Sequence, residues 1–280
     1  MGSGNPVGAV RRTALCNAPC FATHSKELSP SRISIFDTPE QLALAAAERF
    51  VELQSTFPGG SERFSVALAG GNTPRRVYEL LATERFKDRV EWPRVHLFFG
   101  DERAVPPDHP DSNYRMAHEA LISRVPIPAT NVRRITGEGD AEENARSYEA
   151  ELRAFFAGRP WPRFDLVFLG MGEDGHTASL FPGSEALHEN SKWVVATRSE
   201  ALDQARITLT LPVLNRAAQV VFLVTGKEEA QRLREVLESK PVGSGLGAGG
   251  SRQALLPAEM VQPVDGTLEW LVDRAAASLL

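Results

Sequence analysis

The chain has 280 residues, 42% of them hydrophobic, with a formal net charge of -5, enough apolar material for one large α/β domain or two small ones. A negative balance offers no broad basic field for nucleic acid, and no apolar run approaches the length that spans a membrane. The only two cysteines, Cys16 and Cys20, have no histidine or cysteine partners at zinc spacing, which argues for a reducing compartment and against a disulfide framework.

Residues 1–28 are rich in Gly, Ala, Pro and Ser, carry Arg11, Arg12 and Lys26, and have no acid before Glu27. They are expected to form a disordered tail, with 29–280 as a single α/β domain. A transit peptide shares that composition, but the stretch lacks an amphipathic arginine face. Regular patterning begins with a strand over Arg32 to Phe36 and a helix from Pro39, whose Leu42, Ala46, Phe50 and Leu53 recur at helical spacing. A buried strand over Phe64 to Ala69 then runs into Gly70, Gly71, Asn72, Thr73 and Pro74 before a helix through Leu81. Thr73 suits the N-cap and Pro74 the first helical position. Such a start is either an anion site or a plain capped turn.

A third strand, Val95 to Phe99, ends in Gly100, Asp101, Glu102 and Arg103, placing charges at a carboxyl edge. A proline-rich loop follows, and Ser112 or Asn113 can cap the next helix. The pattern then predicts a strand over Val132 to Ile135 and a helix over Ala141 to Phe156. The run Leu166 to Leu169 is apolar throughout, as in a central parallel strand covered on both faces. Directly after it come Gly170, Gly172 and Gly175, with Glu173, Asp174, His176, Thr177 and Ser179 around them. Open α/β sheets place ligands at such a strand end. The glycines spell G-x-G-x-x-G, but Pro182 and Gly183 interrupt the long helix a dinucleotide site needs, and two carboxylates would oppose a pyrophosphate. What remains is a functional His176 or a tight strand-to-helix turn with a surface histidine.

Further strands are expected over Trp193 to Thr197, Arg206 to Leu211 and Val220 to Val224, the last ending in Thr225, Gly226 and Lys227 ahead of a helix through Leu237. The glycine-rich stretch 240–252 reads as a mobile loop, and Leu268, Leu271, Val272 and Ala275 in Thr267 to Leu280 as a packing helix preceded by a short extended piece. Alternation of strand and helix implies a mostly parallel sheet with helices on both faces.

Four blocks together resemble the 6-phosphogluconolactonases: AGGNTP at Ala69 to Pro74, FFGDERAVPPDHPDSNY at Phe98 to Tyr114, LGMGEDGHTASLFPGS at Leu169 to Ser184, and RITLTLPVLN at Arg206 to Asn215 with VTGKEEA at Val224 to Ala230. The resemblance covers nearly everything from Ser31 onward. It implies a Rossmann-like three-layer αβα sandwich shared with glucosamine-6-phosphate isomerases and deaminases, a small sugar-phosphate lactone as substrate, and a place in the oxidative pentose phosphate pathway. It further implies that His176 activates water and that the phosphate lies against Gly70, Gly71, Asn72 and Thr73 with Arg206 and Lys227. Asp101, Asn113, Gly172 and Thr177 join the substrate-binding set, and Arg103 is held for substrate contact. The plainer alternatives are an ion pair for Arg103 and solvated charges for Arg206 and Lys227.

Hydrolysis of a δ-lactone needs an activated water, oxyanion stabilisation and a proton for the leaving ring oxygen. His176 can supply the first and last. The oxyanion donors are expected among backbone N–H groups of the turn from Gly172 to His176, and Asp174 either orients the imidazole or caps the turn. His24, His96, His109, His118 and His188 are scattered, without metal-ligand pairing. No cofactor, metal, nucleic acid, membrane or obligate protein partner is expected, and the expected location is the cytoplasm. The isomerase/deaminase branch is the alternative. Its motif carries an acid five places after the histidine, where this chain has Phe181, and an aromatic residue where this chain has Arg103. A catalytically dead sugar-phosphate sensor on the same fold is the third reading.

Overall fold

The structure is a computed structural model that describes Met1 and residues 32–56, 63–199, 203–238 and 255–280. The expected tail and the glycine-rich stretch 240–252 lie outside the described residues, apart from Met1. In chain order the elements are β1 (Arg32–Phe36), α1 (Pro39–Thr56), β2 (Phe64–Leu68), α2 (Asn72–Leu81), α3 (Glu84–Lys87), β3 (Val95–Phe99), β4 (Asp101–Arg103), α4 (Asn113–Ala120), α5 (Ala141–Phe155), β5 (Leu166–Leu169), β6 (Val194–Ser199), β7 (Gln204–Leu209), α6 (Leu211–Leu214), β8 (Gln219–Val224), α7 (Ala230–Glu238) and β9 (Thr267–Asp273).

Six strands form one sheet in the order β1-β9-β8-β5-β2-β3, every neighbouring pair parallel. The expected α/β class with a mostly parallel sheet is therefore what the chain adopts. Helices flank the sheet, which explains why β2, β3 and β5 are buried at every position. Strands covered on both faces must be apolar throughout, so they carry no alternation. A single connected core runs through both layers, and within it Phe222 of β8 stacks on Trp270 of β9 at 3.9 Å and 5°. Such a pair contributes about 0.5 to 1.5 kcal/mol beyond its area burial.

Three expectations fail. Thr267 to Leu280 is not a packing helix: β9 is a strand inserted between β1 and β8, with only a short 3-10 turn after it. Its apolar residues at three- and four-residue spacing mimic a helix because both faces of the strand are covered. Val132 to Ile135 makes no strand. Val132 bridges Leu97 alone, and Arg133 then turns its guanidinium over the rings of Phe98 and Phe155. Finally, α2 begins at Asn72 behind Gly71, and Thr73 does not cap it, because its hydroxyl is 2.6 Å from that of Thr225 at the end of β8. Beside the parallel sheet, β4, β7 and β6 form a separate antiparallel sheet. Among the described residues no helix is long and apolar enough to cross a membrane.

Candidate active site

Sheet order fixes where a ligand can sit. From β2 the chain moves outward to β3, then returns to the other side of β2 as β5, so the carboxyl ends of β2 and β5 flank a topological switch point. The loops leaving those two strands face each other there. A cleft of about 190 Å³ is lined by Ala69, Gly70 and Gly71 after β2, by Gly170, Met171, Gly172, His176 and Ala178 after β5, by Asp101 and Arg103 of β4, by Asn113 and by Arg206 of β7. Six expected site residues from four separate stretches thus meet with His176 and Gly172.

The loop after β5 holds its histidine without a helix. Gly172 N–H donates to the His176 carbonyl, Gly175 N–H to that of Gly172, and Thr177 and Leu180 exchange backbone bonds. The expectation of oxyanion donors within this turn is thereby weakened, since the N–H groups of Gly172, Gly175 and His176 are spent inside it. His176 Nδ1 lies 2.6 Å from Asp174 Oδ1, which also accepts the His176 backbone N–H. Of the two readings of Asp174, the geometry supports both at once: it caps the turn and orients the ring. Burial opposes the Asp174 charge, but the two bonds from His176 outweigh it and hold the carboxyl below its usual range. Phe181 packs against the imidazole, ring centroids 5.0 Å apart. Gly172 is required at its place, because a Cβ there would come within 2.2 Å of the His176 ring.

Opposite stand two arginines, Arg103 and Arg206, paired across β4 and β7. Arg206 is 7% exposed, and the Nε atoms of both have no hydrogen-bond partner among the described residues. Burial, then the neighbouring charge of Arg103, push the Arg206 guanidinium below its ordinary value. Buried donors left open in this way call for an acceptor. Asp101 receives Ser179 Oγ at 2.6 Å and the Asn113 amide at 3.2 Å. Asn113 in turn presses on the glycine loop so closely that a Cβ on Gly70 would lie 1.9 Å from its Oδ1.

Other expected residues stand off the cleft wall. Thr177 is buried behind it, its hydroxyl donating to Gly170 O at 2.8 Å. Asn72 lines an adjoining groove with Arg75, Arg103 and Arg115, and Thr73 is tied to Thr225. Lys227 is exposed, two residues beyond Thr225. Sequence reasoning missed Met171 and Ala178, which line the cleft without a reactive group. Ala178 has φ 49, a left-handed value uncommon outside glycine, and no residue-type signal announces it. Of the other histidines, His96 is buried beside Phe155 with Arg133 donating to it, and burial followed by the Arg133 and Arg63 charges lowers it to about 4. His24 lies outside the described residues.

The family model for glucosamine-6-phosphate isomerases/6-phosphogluconolactonase matches residues 37–270. The chain belongs to this family. Among the relatives, the human 6-phosphogluconolactonase is 39% identical over 90% of this chain and 95% of its own. The rice (Oryza sativa subsp. indica) protein named probable 6-phosphogluconolactonase 4, chloroplastic, is 38% identical over 89% of this chain and 76% of its own. The solved structure of 6-phosphogluconolactonase from Trypanosoma brucei superposes with a TM-score of 0.77 at 30% identity, covering 90% of this chain and 99% of that one. Phe181, five places after His176, lies with its ring against the imidazole and carries no group that could move a proton.

Proposed function

We propose that this chain hydrolyses 6-phospho-D-glucono-1,5-lactone to 6-phospho-D-gluconate in the oxidative pentose phosphate pathway. The observation that carries the reading is an Asp174-oriented imidazole facing two arginines whose buried Nε donors are open, in a cleft at the sheet's switch point. With Nδ1–H donated to Asp174, the Nε2 of His176 is the basic nitrogen, and it takes a proton from the water that attacks carbon 1. The tetrahedral oxyanion forms toward Arg103. His176 then returns the proton to the ring oxygen as the C–O bond breaks. The phosphate engages the Gly70 to Thr73 loop and Arg206, with Lys227 reaching in from the end of β8. Among the described residues no group of three or more His, Cys, Asp or Glu is gathered for a metal, and the mechanism proposed uses an unassisted water.

Every group in this mechanism comes from one chain, so no protein partner is invoked. The location proposed is the cytoplasm. The rice relative is named chloroplastic, and a tagged full-length chain found in an organelle would overturn that part. Activity is tested by following freshly generated lactone against its spontaneous breakdown. His176→Asn keeps the size and one hydrogen bond but removes the basic nitrogen, and should lower turnover by about 10² to 10⁴ with little change in substrate affinity. A folded His176→Asn protein with near wild-type turnover would remove the histidine from the mechanism.

A further inference from the structure

Glu102 stands between two residues of the cleft wall yet points away from it. Along β4 successive side chains alternate faces, so Asp101 and Arg103 face the cleft and Glu102 faces the start of α4. Its carboxylate is 2% exposed and collects four donors: Arg103 N–H at 2.8 Å and Asn113 N–H at 2.7 Å on Oε1, Ser112 Oγ at 3.1 Å and Tyr114 N–H at 2.8 Å on Oε2. Burying a carboxylate is costly. Burial pushes the Glu102 carboxyl above its ordinary range, with the three backbone donors pulling the other way.

Helix stability alone does not explain that cost. α4 has its own N-cap, Ser112, whose hydroxyl accepts the Arg115 N–H at 3.1 Å. Glu102 is a second acceptor brought from another sheet, and an acceptor-only group is what four converging donors require. Two links then run from the clamped helix start back into the cleft. The carbonyl of Asp111, one residue before Ser112, accepts Arg103 Nη1 at 2.5 Å. The side chain of Asn113 donates to both Asp101 O, at 2.9 Å, and Asp101 Oδ1.

We propose that Glu102 is a positioning residue for the lactonase reaction: by clamping the start of α4 to β4 it sets the Arg103 guanidinium and the Asn113 amide, without itself touching substrate. The proposal rests on the reading of the cleft as a sugar-phosphate lactonase site. A carboxamide cannot replace the carboxylate, since its NH2 would face N–H or O–H donors on one side of the cluster. The helix start then shifts, Arg103 loses the Asp111 carbonyl, and a displacement of about 1 Å is enough for up to about a 10²-fold loss of rate.

The test is a double-mutant cycle of Glu102→Gln with Arg103→Ala, read as kcat/KM of protein shown to be folded by circular dichroism. Glu102→Gln alone should lower kcat/KM about 10- to 100-fold, and in the Arg103→Ala background only the part carried by Asn113 is left, a factor of about 3 or less. A purely structural glutamate gives equal factors in both backgrounds, or a lower melting temperature with unchanged kcat/KM. Either result overturns the proposal. Should Glu102→Gln fail to fold, Glu102→Asp, which keeps the charge but cannot reach all four donors, takes its place in the cycle. A crystal structure of the variant separates this inference from the proposed function. If the wild type turns over no lactone, the function fails. Independently of that outcome, the clamp of Glu102 on Arg103 holds if the variant shows Arg103 released from Asp111, and falls if Arg103 has not moved.

Discussion

At the scale of single residues, the cleft is marked by two arginine Nε donors left open among the described residues. Arg206 and Arg103 lie side by side with open Nε donors, and two like charges in a water-poor site are stabilised by an anion between them. In the mechanism proposed, a phosphate dianion takes the glycine loop and Arg206, and Arg103 is kept for the oxyanion. Lys227, by contrast, is exposed, and only a long flexible stem lets it reach the same group. Charge-assisted hydrogen bonds contribute about 1.5 to 3 kcal/mol each, or roughly 10- to 150-fold in affinity. Lys227→Ala should therefore weaken the phosphorylated lactone by about 10-fold while leaving the unphosphorylated lactone nearly unaffected. Comparing kcat/KM on the two substrates checks this, and equal losses on both would remove Lys227 from the phosphate contact.

At the scale of elements, the loop after β5 does by internal bonding what a helix does in other α/β sites. Its backbone bonds among Gly172, Gly175, His176, Thr177 and Leu180, together with Thr177 Oγ on Gly170 O, leave the imidazole a fixed platform. Gly172 makes the platform possible because the ring of His176 occupies the space of its missing side chain. Gly172→Ala puts a methyl 2.3 Å from His176 Nδ1, so the ring must swing away from Asp174. Turnover should fall at least about 10-fold, while the melting temperature drops by only a few degrees, the turn being at the molecular surface. Steady-state rates and a thermal melt on the same preparation decide this, and an unchanged kcat would contradict the packing described.

At the scale of the whole molecule, β9 joins the edge strand β1 to the rest of the parallel sheet. It pairs with β1 over five residues and with β8 over six, and Arg49 of α1 ties to it through Glu269 at 2.9 Å. Among the described residues strand β1 has no sheet neighbour other than β9, and its Ile33 and Ile35 are exposed. A chain ending at Gly266 loses the Trp270 ring from the Phe222 stack and leaves β1 with nothing to pair. It should show no cooperative thermal transition, whereas an interior helix of modest packing would tolerate removal better. A sharp melt of the truncated chain, with activity retained, would refute the structural role given to β9.

How much of this was legible beforehand follows from the range of each interaction. Strands β1 and β3 and helix α1 are read correctly from the sequence because apolar period and capping are local. The polar and glycine residues of the cleft are legible for the same reason, since glycines, acids, arginines and a histidine cluster at strand ends where their types stand out whatever they touch, while Met171 and Ala178 carry no such mark. Thr73 was misread as a cap because its partner, Thr225, is 152 positions away. The last strand was misread as a helix because burial on both faces erases the two-residue period that would have marked it. Glu102 gave no sign of its four donors, three of which arrive from residues 112–114 only once β4 and α4 are brought together. The α/β class and the chemical types at the strand ends follow from local pattern along the chain. Only the tertiary structure decided which of them face one another, because strand order is set by which apolar faces pack, and that is a property of pairs of segments that no single stretch carries.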